Sequence, residues 1–178
     1  MTRRAAGFSL LELLVVVVII GLGVAMVTLN IGDNSALLLR NAARELANQT
    51  ALIAEEAELT NQPWGVQNYR DSVDGTERIA WRWLWFGPKG WQPDAPQDLP
   101  PGGHFAAEVS AELSVEGSAV EIGPLPTKDE KPVPDIWLAP GGEVSAFELR
   151  LRLGREDGPI VRGDALGRIE VELGDAQS

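Results

Sequence analysis

The chain has 178 residues, a formal net charge of −11 at pH 7 and no cysteine. Acidity of that size sets it against nucleic acid, whose phosphates repel carboxylates. The missing thiols exclude a disulfide framework, thiolate metal sites and a thiol nucleophile, and the length leaves room for one membrane span and one modest soluble domain.

Arg3 and Arg4 precede an apolar run from Phe8 to Leu29, in which Glu12 is the only charged side chain. As a helix rising about 1.5 Å per residue the run is about 33 Å long, enough for a hydrocarbon core of roughly 30 Å. The arginines ahead of it, and Asp33 as the first charge behind it, keep the N-terminus cytoplasmic and send the rest across. A carboxylate inside such a span is costly and calls for a function. A cleaved secretory signal with its small-x-small site at Gly23-Val24-Ala25 is one reading, opposed by the length of the run and by Glu12. A plain anchor whose Glu12 reaches the interface is a second. The third gives Glu12 a partner.

Gly7-Phe8-Ser9-Leu10-Leu11-Glu12 resembles the processing site of type IV pilins and of the pseudopilins of type II secretion. The resemblance implies that a prepilin peptidase cuts between Gly7 and Phe8, removes residues 1–7 and leaves Phe8 N-methylated. Glu12 then holds the family's fifth mature position. Cleavage creates an α-amine with an ordinary pKa of about 7.7–8.0. Glu12 lies about 6 Å further along the helix. The amine of a neighbouring subunit, offset along the axis, can meet this carboxylate, and a paired charge is tolerated in low dielectric where a lone one is not. Glu12 is therefore expected to be an assembly contact. Major subunits of the family often carry a proline late in the span; Leu29 stands there instead, which points to a minor subunit.

Asn30-Ile31-Gly32-Asp33-Asn34-Ser35 is polar and could loosen the helix, with Asp33, Asn34 or Ser35 capping a restart. Beyond it Leu39, Ala43, Leu46, Thr50, Ile53 and Ala57 recur at steps of four and three, a narrow helical stripe. Arg40, Arg44, Glu45, Glu55, Glu56 and Glu58 lie off it, and Asn61-Gln62-Pro63 ends the pattern. The spacing predicts one helix of about 80 Å from Phe8 to Gln62: a membrane half, residues 8–29, and an amphipathic half, residues 30–62, docked on a head formed by residues 63–178.

In the head the helical period disappears. Strands are predicted over Trp64–Arg70 and Glu77–Phe86; in the second, Trp81, Trp83 and Trp85 share one face and Ala80, Arg82 and Leu84 the other. A loop rich in proline and glycine runs from Gly87 to Gly103. Shorter strands are expected over His104–Val109 and Glu112–Val115, continuing to Ile122, followed by a second loop from Gly123 to Pro134. Ile136–Ala139 and Val144–Leu153 flank Pro140-Gly141-Gly142 and read as a hairpin. Pro159–Arg162 and Arg168–Leu173 close the chain. The segment from Ile136 to Leu149 resembles the C-terminal hairpin of H-type minor pseudopilins, with Ala146-Phe147-Glu148-Leu149 standing where that group has Pro-Phe-Glu-Leu. The expected fold is α+β and pilin-like: a long N-terminal helix on a mainly antiparallel head of one or two small sheets.

Chemistry-bearing patterns are few. There is no phosphate-binding glycine loop, no Gly-x-Ser-x-Gly and no His-Glu-x-x-His, and His104 is the single histidine. Asp71, Asp74 and Glu77 surround a glycine turn. They are a candidate for a hard cation such as calcium, although the spacing is not that of an EF-hand and a solvated turn explains it as well. Trp81, Trp83 and Trp85 are either an aromatic ladder for a partner or one buried sheet face, burial being the stronger expectation. Arg150, Arg152, Arg155, Arg162 and Arg168 gather positive charge near the C-terminus, suited to packing between heads or to solvated strand faces.

These readings converge on a structural protein with no enzymatic role and no cofactor. The resemblance implies a minor pseudopilin at or near the tip of a periplasmic pseudopilus, held by a single pass in the bacterial inner membrane. Its implied partners are the other minor subunits, the major subunit, the prepilin peptidase and the inner-membrane assembly platform. The alternatives are a minor pilin of a type IV pilus, serving adhesion, motility or DNA uptake, and a membrane-anchored periplasmic module that binds sugar or peptide.

Overall fold

A computed structural model of the chain describes residues 10–93 and 99–173, and for residues 22–35 it describes the backbone but not the side chains. The backbone forms one long helix, α1 (Leu10–Thr60), followed by ten strands. Its residues fall into two compact units, Met1–Leu37 and Leu38–Ser178.

From Leu10 to Ile20, Glu12 excepted, α1 is apolar all round. Leu10, Leu11, Leu13, Leu14 and every residue from Val15 to Ile20 are exposed, a surface suited to lipid or to other apolar helices rather than to water. Helical backbone continues through Gly32-Asp33-Asn34-Ser35, so the restart that those residues permit does not occur.

The second unit begins on the same helix. All six residues of the predicted stripe, Leu39, Ala43, Leu46, Thr50, Ile53 and Ala57, are buried, and Ala47 and Ala54 widen it. Thr50 is the one polar member, and its hydroxyl donates to the Leu46 carbonyl at 2.7 Å, which satisfies it without leaving the helix. The helix ends in a Schellman arrangement. Asn61 takes a left-handed φ of 50°, the Gln62 N–H donates to the Ala57 carbonyl at 3.1 Å and the Asn61 N–H to Glu58 at 3.3 Å. Pro63 then prevents the helix from resuming.

The first sheet has the order β3-β2-β1-β7. Its members are β1 (Trp64–Val73), β2 (Thr76–Gly87), β3 (Gly90–Gln92) and β7 (Ile136–Leu138), and β4 (Gly103–His104) adds to β2 beside β3. The second has the order β10-β9-β8-β5-β6, from β5 (Val109–Val115), β6 (Ser118–Val120), β8 (Phe147–Leu153), β9 (Glu156–Gly163) and β10 (Ile169–Glu172). All the strand pairs are antiparallel. The α1 stripe and the inner faces of both sheets share one apolar core.

Three predicted elements differ. The loop expected from Gly87 to Gly103 contains β3. The strand expected over His104–Val109 reduces to Gly103–His104, and the chain resumes pairing only at Val109. The hairpin around Pro140 also does not form as such. Its first arm, β7, pairs with β1 in the first sheet, whereas its second, β8, is a central strand of the second sheet. The turn itself is local. Ala139 donates to the Glu143 carbonyl at 2.8 Å, Ser145 donates to Trp137 at 2.9 Å, and Leu138 bridges Val144. Gly142 has φ 87°, so a side chain there would meet backbone strain; the Glu58 carboxylate beside it is the mobile end of an exposed side chain. The chain then crosses between sheets at Ser145-Ala146, because Phe147, Leu149 and Leu151 bury in the second sheet.

Pro159 sits inside β9 without breaking the ladder. Arg150 pairs with Ile160 and Arg152 with Asp157, so Gly158 and Pro159 together oppose Leu151 in a bulge. A residue lacking an N–H is tolerated there.

Candidate functional site

Gly7 and Phe8, the predicted processing site, lie outside the described residues. So do residues 1–7 of the expected leader and the first two of the expected span. Glu12 is described and falls in the first turn of α1. It is surrounded along the chain by exposed leucine and valine. Leu10–Gly21 are the part of the expected span, Phe8–Leu29, whose side chains are described. Among the described residues no helix is long and apolar enough to cross a membrane.

The tryptophans of β2 divide. Trp81 and Trp83 are each 2% exposed and Trp85 is half-buried. Trp81 donates its indole N–H to Gln49 Oε1 of α1 at 3.2 Å and packs on Phe105 with ring centroids 5.0 Å apart. Trp81 and Trp83 are thus not an exposed ladder: both lie in the apolar core that also holds the α1 stripe, with Trp85 packed against it. The opposite face of β2 is not open either. Ala80 and Leu84 are buried, and Gln67, itself buried, accepts from Arg82 Nε at 2.9 Å and Nη2 at 2.6 Å.

That second face is covered by a strap, residues 123–135, which sequence periodicity does not reveal. Arg70 donates to the Gly123 carbonyl at 2.7 Å, and Asp135 donates its N–H to Val66 at 2.8 Å. Gln67 Nε2 donates to the Val133 carbonyl at 3.0 Å. Asp135 Oδ2 accepts from the Asn68 N–H at 2.6 Å. Burial pushes the Asp135 carboxyl above the ordinary range, with the two Asn68 donors acting in the other direction. The bonds at Arg70 and Asn68 use the backbone edge of β1 beyond β7, so the strap also closes an edge that would otherwise invite another strand, while the Gln67 side chain ties it to the face.

Asp71, Asp74 and Glu77 are placed by the β1–β2 turn. Asp74 and Gly75 both have positive φ, 54° and 76°, the two-residue type I′ geometry that suits strand twist. Glu77 lies 3.8 Å from Arg70, and Asp71 stands across from Arg78 in register. Among the described residues no group of three or more His, Asp or Glu side chains is placed to hold a metal ion.

Three of the five C-terminal arginines, Arg150, Arg152 and Arg162, are paired across the outer face of the second sheet. Glu148 accepts from Arg150 at 2.5 Å and from Arg162 at 2.9 Å, Arg162 reaches Glu172 at 3.1 Å, and Arg152 reaches both Glu112 and Asp157. The two guanidiniums hold the Glu148 carboxyl below the usual range, Arg162 more than Arg150.

Comparison with known proteins points the same way as the N-terminal motif. A family model described as the prokaryotic N-terminal methylation motif matches residues 2–28. The type II secretion system protein H of Pseudomonas aeruginosa is 29% identical over 180 aligned positions, covering 95% of this chain and 98% of that protein. Its counterpart in Pectobacterium carotovorum is 27% identical, covering 85% and 83%. The crystal structure of the minor pseudopilin EpsH from the type II secretion system of Vibrio cholerae superposes with a TM-score of 0.59 at 20% identity, covering 80% of this chain and 99% of that one. It shares the α+β arrangement of a helix on antiparallel sheets. In motif, full-length sequence and fold, this chain resembles the H-type pseudopilins of type II secretion, within the type IV pilin-like superfamily.

Proposed function

We propose that the chain is a minor pseudopilin: a structural, non-catalytic subunit at or near the tip of a periplasmic pseudopilus that supports export of folded proteins across the outer membrane. The observation that carries the reading is the methylation motif over residues 2–28, in a chain whose likeness to secretion protein H runs nearly end to end. In this reading residues 1–7 are a leader, residues 8–29 anchor the subunit in the inner membrane, residues 30–62 support the head, and residues 63–178 stand in the periplasm. Prepilin peptidase cuts at Gly7-Phe8 and Phe8 is methylated. The other minor subunits, the major subunit and the inner-membrane assembly platform are its partners. Glu12 is the assembly contact, for the electrostatic reason that a carboxylate in lipid requires a cation.

Mass spectrometry of the protein purified from cells with a working secretion system tests the reading. The expected N-terminal peptide begins at methylated Phe8. A peptide beginning at Met1, or after Ala25, overturns it.

A further inference from the structure

Strand β10 ends the second sheet. It pairs with β9 through Ile169–Gly163, Glu170–Arg162, Val171–Val161 and Glu172–Ile160, and among the described residues no strand pairs with its other edge. The Asp164 N–H donates to the Arg168 carbonyl at 3.0 Å, which makes Asp164–Arg168 a hydrogen-bonded pair. Antiparallel pairs alternate. Glu170 and Glu172 therefore face β9 with their backbone groups, and Ile169 and Val171 turn their N–H and C=O outward.

The side chains follow the same alternation. Ile169 and Val171 are half-buried against the core, and Glu170 and Glu172 are exposed. The outer face of the sheet carries alternating charge. Passing from β8 through β9 to β10, Glu148 pairs with Arg162 and Arg162 with Glu172. The series reads acid, base, acid, and it stops at the β10 carboxylates. A further strand would complete the cover over Ile169 and Val171 and place its own outward residues beside Glu170 and Glu172.

We propose that the free edge of β10 docks an extended segment of a different polypeptide, one in which lysine or arginine alternates with branched apolar residues. Backbone groups of Ile169 and Val171 supply the main-chain bonds, and the alternate side chains supply selectivity. A second copy of this chain is the lesser fit, because β10 laid fully on β10 sets Glu170 against Glu170, and dimerisation is therefore an outcome of the test. Acidic side chains on an edge protect it from indiscriminate pairing; here they leave a basic partner admissible. The inference stands on sheet geometry and charge, so its failure leaves the subunit reading untouched, and the reverse also holds.

The test uses the full chain in non-ionic micelles and two end-blocked heptapeptides, one alternating lysine with valine and the other glutamate with valine. Labelled peptide reports affinity by anisotropy, and amide exchange reports the site. The lysine peptide is expected to bind at least about tenfold more tightly than the glutamate peptide. It is also expected to slow exchange at Ile169 and Val171 by about tenfold or more. Val171→Pro deletes an outward N–H without touching the β9 ladder and is expected to abolish binding. Glu170→Lys, at an exposed position, is expected to erase the preference for lysine, and it keeps the test decisive if the proline variant misfolds. Absence of binding, affinity unchanged in Glu170→Lys, protection confined to other amides, or dimerisation of the chain through β10 overturns the proposal.

Discussion

Asp135 shows how one side chain can tie a loop to a sheet and leave a titration mark. Its carboxylate accepts from the Asn68 N–H at 2.6 Å and from Asn68 Nδ2 at 3.3 Å, yet burial outweighs these donors and raises its pKa. A group raised in the folded state contributes stability that is fully present below its unfolded pKa, about 3.9, and is lost as pH rises through the folded value. Glu148 has the opposite sign. Held low by Arg162 and Arg150, it contributes above the unfolded pKa and loses that contribution as pH falls through the folded one. Its place on the exposed outer face keeps that contribution small. Comparing Asp135→Asn with the parent isolates Asp135, because Glu148 is common to both. In urea unfolding followed by tryptophan fluorescence, the variant is expected to gain stability relative to the parent between pH 3 and pH 7. A relative loss over that range would mean that the Asn68 donors outweigh burial. Sequence alone could not show this residue's role. Alternation placed the tryptophans of β2 on one face, but the strap that buries the other face is distant in the chain and leaves no periodic trace.

At the scale of elements, the part of α1 that packs on the sheets was the most legible, because a helix packed on one side repeats its contacts every three to four residues. Every predicted stripe residue is buried. The prediction that follows is a contrast between neighbours. Ile53→Ala empties a site of 0% exposure and is expected to cost about 2–5 kcal/mol. Leu52→Ala, at 46% exposure on the outer side, is expected to stay within about 0.5 kcal/mol. Denaturant unfolding of both decides whether the stripe is what holds the helix to the sheets; equal costs would refute it. The region around Pro140 was legible only in part. Pro140-Gly141-Gly142 marks a reversal, and turn chemistry is local. Whether the two arms then share a sheet is decided by what each strand buries, and β8 finds β5 and β9 where β7 finds β1. Pro159 misled less than a strand proline usually does, since the bulge opposite Leu151 accepts it.

For the whole molecule the question is why an apolar helix with a single acid should assemble in a fixed register. Apolar packing in lipid is nearly indifferent to a slide along the helix axis, because lipid tails are as apolar as leucine. A charge pair is not indifferent, since its attraction falls steeply as the two groups separate in a low dielectric. In the proposed reading Glu12, together with the α-amine that processing at Phe8 would create in a neighbour, supplies that register. The proposed cut at Gly7-Phe8 does not involve the Glu12 carboxylate, so Glu12→Ala is expected to be cut and methylated normally. Its assembly then leaves an amine in lipid without its partner, and breaking a buried pair in that way costs about 3–5 kcal/mol. That corresponds to an association weaker by about two orders of magnitude or more. Crosslinking of the variant to the other pseudopilins in membranes, beside mass spectrometry of its N-terminus, separates the two steps. Normal processing with strongly reduced crosslinking is the expected result, whereas parental crosslinking would show that apolar packing alone sets the register.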